Sequence, residues 1–228
     1  MSREVCYICR RAKVACLCGR IEKHSNQIKI IVLQHPDEVS NAKGSAIIAK
    51  LGLKQYQSWV GEDFSQHPAF NELMDGSTEK IRVLYPDLPG PDGSGESRES
   101  RESSESGESG DSGQQTQQLR MDNTQQVEAL LVIDATWRKA RLMWECNPRL
   151  QWLGRVMLGS DKASNYRIRK VPKQGYLSTV EAIVGGLRVL ERQSNAYQSL
   201  LVLFDEMIDF QINSMGVEVY NANYERDE

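Results

Sequence analysis

No stretch of this 228-residue sequence stays apolar for the ~18 residues that cross a bilayer. No secretory leader precedes the first cysteine either. Both absences predict a soluble, cytoplasmic protein with no membrane partner, in which thiols stay reduced and disulfides do not form. Apolar residues are also scarce, at 39% of the chain. The shortage is concentrated in "GPDGSGESRESRESSESGESGDSGQQTQQ", which has almost none. Such a segment buries too little surface to offset its ordering entropy. It predicts a disordered Ser/Gly/Glu-rich insert at about 90–126, with no chemistry of its own.

A strong charge of one sign is missing too, since the formal net charge is -3. The segment from Pro91 to Gln126 carries 8 acidic and 3 basic residues, leaving 25 basic and 23 acidic elsewhere. The folded part is therefore slightly basic, and its cations cluster as "RRAK" (10–13), "RKAR" (138–141) and "RIRKVPK" (167–173). Clustering is what a polyanionic partner reads, although solvated faces give the same pattern.

What is present begins with cysteine. "CYICRRAKVACLC" sets Cys6, Cys9, Cys16 and Cys18 in a C-x2-C-x6-C-x-C pattern. Four thiols this close in a reduced compartment point to Zn²⁺, and four thiolates close its coordination, leaving no place for substrate. The expectation is a structural zinc knuckle over 1–24, with a catalytic domain over 25–228. Cys146 stands alone and reads as a packing residue.

Strand and helix patterns alternate along the rest. "NQIKIIVLQHP" and "KIRVLYP" read as strands. "VEALLVIDATW" is apolar throughout, the mark of a strand buried on both faces. "GRVML" is a further short strand. "NAKGSAIIAKLGL", "TWRKARLMWEC", "STVEAIVGGLRVLERQ" and "AYQSLLVLFDEMIDFQINSM" read as helices, the third opened by a Ser178/Glu181 capping box. The alternation predicts an α/β fold with a mainly parallel sheet and flanking helices. Ligands then bind beyond the carboxyl ends of the strands, where "QHPDE", "LYPD" and "DATW" lie.

"LLVIDATWRKAR" (130–141) holds the sharpest signal. A buried-strand pattern ends at Asp134, and a basic helix follows. Asp134 or Thr136 could cap that helix, and Trp137 could belong to the core. "DATW" nevertheless resembles the D-x-T-W motif of the DTW-domain family. The front cysteines, His35-Pro36-x-Glu38, "LYP" (84–86) and "YRIRKVPKQGYLSTVEA" (166–182) follow the family's order over nearly the whole chain. Asn41-Ala42, Asp87 and the long insert depart from its usual pattern.

The resemblance implies a SPOUT-like fold, knotted or not. It implies a tRNA-uridine aminocarboxypropyltransferase that uses S-adenosylmethionine (SAM) as co-substrate. Such an enzyme moves the 3-amino-3-carboxypropyl group to N3 of a uridine in the tRNA variable loop and releases methylthioadenosine. On this reading Asp134, Thr136 and Trp137 are catalytic. Leu84, Tyr85, Pro86, Asp134, Ala135, Thr136, Ser178, Thr179 and Glu181 hold the co-substrate. Arg138, Arg141, Tyr166, Arg167, Arg169 and Lys170 face tRNA, and His35, Pro36, Glu38 and Asn41 complete the motif set. N3 of uridine is a poor nucleophile until deprotonated, so a general base is needed, and Asp134 is the candidate. Asp134 could instead bind the amino group of the transferred chain. Two other readings stand beside this one: a SPOUT-like RNA methyltransferase, and a non-catalytic zinc-containing RNA-binding protein. The chain could act as a monomer or a homodimer.

Overall fold

The computed structural model describes residues 4–85, 127–158, 164–169 and 177–224. The insert at about 90–126, Pro86 and Lys170 lie outside the described residues. Five strands form one sheet: β1 (Lys29–Gln34), β2 (Tyr56–Val60), β3 (Ile81–Leu84), β4 (Ala129–Asp134) and β5 (Gly154–Val156). Their order is β2-β1-β4-β3-β5, and every pairing is parallel. The helices among the described residues are α1 (Ala46–Gly52), α2 (Pro68–Asp75), α3 (Trp137–Cys146), α4 (Thr179–Leu190), α5 (Gln198–Met215) and α6 (Val217–Tyr224). None is long and apolar enough to cross a membrane.

The period-2 alternation of the strands divides the core. Ile30, Val32, Leu130 and Val132 face one side and pack with residues of α1, α4 and α5. Ile31, Leu33, Val83 and Leu131 face the other, against Phe70 and Met74 of α2 and Met143 and Trp144 of α3. Coverage on both faces explains why "ALLVI" carries no polar residue. The edge strand β2 and the short helix α2 were not read from the sequence, and neither was α6.

The chain leaves β1 toward β2 on one side and leaves β4 toward β5 on the other. Beyond the ends of β1 and β4 the connections diverge, which opens a crevice in a parallel sheet. Gln34 and Asp134 are register partners at that point.

Helix α4 reaches this region by lying close to the sheet. A Cβ on Gly186 would lie 2.7 Å from Leu130 Cδ2 and 2.9 Å from Leu84 Cδ1. A glycine inside a helix costs about 1 kcal/mol relative to alanine, and here it permits the approach. Gly186→Val should destabilise the fold by about 1–3 kcal/mol through overpacking. A denaturant midpoint equal to that of the parent would show that the helix can draw back at no cost.

Candidate active site

Asp134 is 3% exposed at the carboxyl end of β4. Its Oδ1 accepts a hydrogen bond from Thr179 Oγ1 at 2.6 Å, and its Oδ2 accepts one from Gln34 Nε2 at 2.8 Å. Neither donor belongs to α3, and the Thr136 side chain makes no cap hydrogen bond at the start of that helix. Asp134 therefore faces across the crevice and does not serve as the cap of α3. Burial pushes its carboxyl above the ordinary range, with the Thr179 and Gln34 bonds pulling the other way.

A second buried acid lies beside it. Glu38 is 5% exposed, ends a 3-10 turn begun at Pro36, and accepts from Arg169 Nη2 at 2.9 Å and Asn41 Nδ2 at 2.8 Å. His35 caps that turn by accepting from Asp37 N, and its Nε2 faces Glu62 at 3.0 Å. The His-Pro-x-Glu segment thus builds a wall of the crevice.

Two cavities flank the Glu38–Arg169 pair, Arg169 lining the first and Glu38 the second. The first, about 670 Å³ counting its open mouth, is largely apolar, bounded by Leu84, Tyr85, Ala135, Trp137, Leu177 and Thr179. Tyr85 is braced from behind by stacking on Trp144, with ring centroids 4.1 Å apart. Ser178, Tyr166 and Arg169 also line this cavity. The second, about 850 Å³ on the same measure, is more polar and lies between the cysteine segment and the ends of β1 and β2. Gln34, Asp134 and Glu38 are among its walls.

Several residues sit differently from their sequence-based expectation. Glu181 does not line the apolar cavity. Its carboxylate accepts from Ser178 N, Asn165 N and Ser164 Oγ at 2.6–2.8 Å, completing the capping box and holding the 164–165 segment on α4. Arg169 does not project toward solvent beside Arg167, because Glu38 and the Tyr166 ring draw it inward. Tyr166 is itself buried and donates its hydroxyl hydrogen to the Lys43 carbonyl. Arg167 pairs with Asp209, and Arg141 with Glu145 one helical turn on. Both pairs are exposed, and exposed pairs are weak enough to yield to a phosphate. Arg138 is exposed on α3.

The four N-terminal thiols converge as their spacing suggested. Their Sγ atoms all lie within 4.8 Å of one another, with Cys6–Cys18 and Cys9–Cys16 both at 3.8 Å. A tetrahedral Zn²⁺ with bonds of about 2.3 Å sets its sulfurs about 3.8 Å apart, so the set fits that ion. Backbone N–H groups of Cys9 and Ile8 draw the Cys6 thiol down to about 6, whereas burial and the neighbouring thiols push Cys18 up to about 12. Arg10 turns the knuckle at a φ of +56°. Arg11, read from the sequence as one of a cationic cluster, is buried instead. Its guanidinium donates to the Ala42 and Gly44 carbonyls and clamps the knuckle onto the 41–44 loop. Gln34, Tyr56, Ser58 and Arg11 went unread as site residues.

Comparison with known proteins adds independent observations. A family model described as the DTW domain matches residues 3–212. The tRNA-uridine aminocarboxypropyltransferase 2 of Drosophila melanogaster is 27% identical over 221 residues, covering 95% of this chain and 78% of the fly protein. Proteins of the same name from Macaca fascicularis and Mus musculus are 24% and 22% identical. Each of these two matches covers 92% of this chain but only 64% of the relative's own length. No solved structure gives a significant match.

Proposed function

The chain belongs to the DTW-domain family, and from that premise we propose that it transfers the 3-amino-3-carboxypropyl group of SAM to N3 of a uridine in the tRNA variable loop. The observation that carries this reading is Asp134, a buried carboxylate that lines the polar cavity and accepts a hydrogen bond from Thr179, which lines the apolar one. A binding protein without catalysis has no use for such a group, since burying it costs free energy.

The residues fit the co-substrate. Leu84, Tyr85, Ala135 and Trp137 suit an adenine. The methionine carboxylate is assigned to the start of α3, beside Ala135 and Trp137 on the cavity wall. At α4 the Ser178–Glu181 box and the Ser45 hydroxyl, which accepts from Val180 N, already engage the backbone donors. SAM supplies an electrophilic γ-carbon next to its sulfonium.

Asp134 takes the proton from uridine N3. The freed N3 pair forms the N3–Cγ bond while the Cγ–S pair returns to sulfur, and neutral methylthioadenosine leaves. The proton passes from Asp134 to water. Burial suits the task, because a base works best when its pKa is raised toward the working pH. Cys6, Cys9, Cys16 and Cys18 would hold one structural Zn²⁺. Arg138, Arg141 and Arg167, all exposed, would meet tRNA phosphates.

Incubating the protein with SAM and unmodified tRNA, then weighing the nucleosides, tests the reaction. An aminocarboxypropyl adduct with methylthioadenosine is expected. A methyl adduct with S-adenosylhomocysteine would make the protein a methyltransferase. Binding of tRNA with no SAM consumed would make it a non-catalytic RNA-binding protein.

A further inference from the structure

Asp134 has two faces, and the reading above gives the co-substrate the apolar cavity beside Thr179. The polar cavity on the other side is lined by Gln34, Tyr56, Ser58 and Asp134. Ile8 and Arg10 of the knuckle and Lys50 of α1 also line it. The two oxygens of Asp134 are divided accordingly: the Oδ1 partner, Thr179, lines the apolar cavity, and the Oδ2 partner, Gln34, lines the polar one.

We infer that this polar cavity receives the target uracil, turned out of the RNA, with its pairing edge against Gln34, Asp134 and Tyr56. The inference rests on the transferase reading and extends it to the nucleophile's side of the crevice. The pairing edge of uracil runs acceptor, donor, acceptor: O4, N3–H, O2. A carboxylate between an amide N–H and a hydroxyl runs donor, acceptor, donor. Gln34 spends one amide hydrogen on Asp134 and keeps the other for a base carbonyl. Tyr56 offers a phenol that burial, and then the negative charge of Asp134, keep protonated. Cytosine would set its unprotonated N3 lone pair against Asp134 and its amino group against the Gln34 donor, so the same edge excludes it. Enzymes that modify a base take it out of the stack into such a pocket.

The rim suits the strand that carries the base. Tyr7 is 97% exposed on the knuckle, next to Ile8 and near Arg10. An aromatic face beside a cation is the usual support for an unstacked base and its phosphate. The knuckle thereby acquires a task beyond its own fold, as one wall of the base pocket.

Crosslinking reads occupancy without turnover. A tRNA transcript containing 4-thiouridine is bound to the full chain with SAM, irradiated, and mapped by peptide mass. A crosslink to Gln34, Tyr56 or Ser58 is expected, since a uridine outside the cavity cannot reach these walls. Crosslinks confined to the walls of the apolar cavity, such as Trp137 or Leu177, would overturn the assignment. Two variants give a second reading. Ser58→Phe fills the cavity, and Ser40→Trp narrows it from a loop position where folding is not at stake. Both should lower kcat/KM for tRNA by about tenfold or more, the scale of a lost base contact, while SAM affinity by calorimetry stays unchanged. Undiminished transfer by Ser40→Trp and folded Ser58→Phe, or loss of SAM binding in either, would place the base elsewhere. A pocket crosslink without an aminocarboxypropyl product would refute the transferase reading and leave the pocket standing. The product with crosslinks only elsewhere would do the reverse.

Discussion

Asp134→Asn is expected to reduce turnover by about 10²–10⁴-fold, the usual contribution of a general base. The change is nearly isosteric. The amide oxygen can still accept from Thr179, and the Gln34 amide can turn over to accept from the new NH₂ group. What disappears is the proton acceptor. Stability should not fall with activity. Burial raises the folded-state pKa of Asp134 above its unfolded value. Its stabilising contribution is therefore present below the unfolded pKa and is lost as pH rises through the folded pKa. At neutral pH the uncharged variant should unfold at no lower temperature than the parent. The parent's kcat should also fall on its acid side at a pH above the ordinary Asp range of about 4, and this limb should be absent in the Asp134→Asn variant. Near-normal turnover would reduce Asp134 to a structural acid, and loss of SAM binding would make it a co-substrate ligand.

The second large effect concerns the knuckle. Cys16→Ser should remove the metal and with it most of the order of residues 4–20, since structural zinc contributes about 10–16 kcal/mol of apparent binding energy to small folds. Each purified chain should hold one zinc ion by elemental analysis, and none, with all five cysteines titratable, would refute the site. Arg11 carries the damage inward. It ties the knuckle to the Ala42 and Gly44 carbonyls, and Ser45 next in sequence accepts from Val180 N, one residue from Thr179. Transfer to tRNA should thus collapse in Cys16→Ser, although Cys16 itself lines neither cavity.

The sequence made visible what depends on neighbours along the chain. The spacing of the four front cysteines, the buried run of β4 and the Ser178–Glu181 box are local patterns, and all three formed as expected. Gln34 was hidden because its importance comes from register with Asp134, 100 positions away. Arg167 and Arg169 look alike in a basic run. Only the partner of Arg169, Glu38, separated by 131 positions, shows that one belongs to the surface and the other to the wall between the cavities. The edge strand β2 carries a single well-buried side chain, Trp59, and α2 spans only two turns, so neither imposes a strong period. Without β2 there was no way to place Tyr56 and Ser58 beside Asp134.

The strand order also governs when the crevice can exist during synthesis. β3 pairs only with β4 and β5, both made after it, and β1 has only β2 until β4 arrives. A nascent chain that ends before residue 129 can close one parallel pair and must leave β3 without hydrogen-bonded neighbours. β4 then inserts between two strands already made, closing long loops on both sides, the kind of non-local pairing that slows folding. The apolar edges of β1 and β3 stay open to other chains throughout that interval. Asp134 is the last residue of the strand that ends it, so the buried carboxylate and a closed sheet centre appear in the same step.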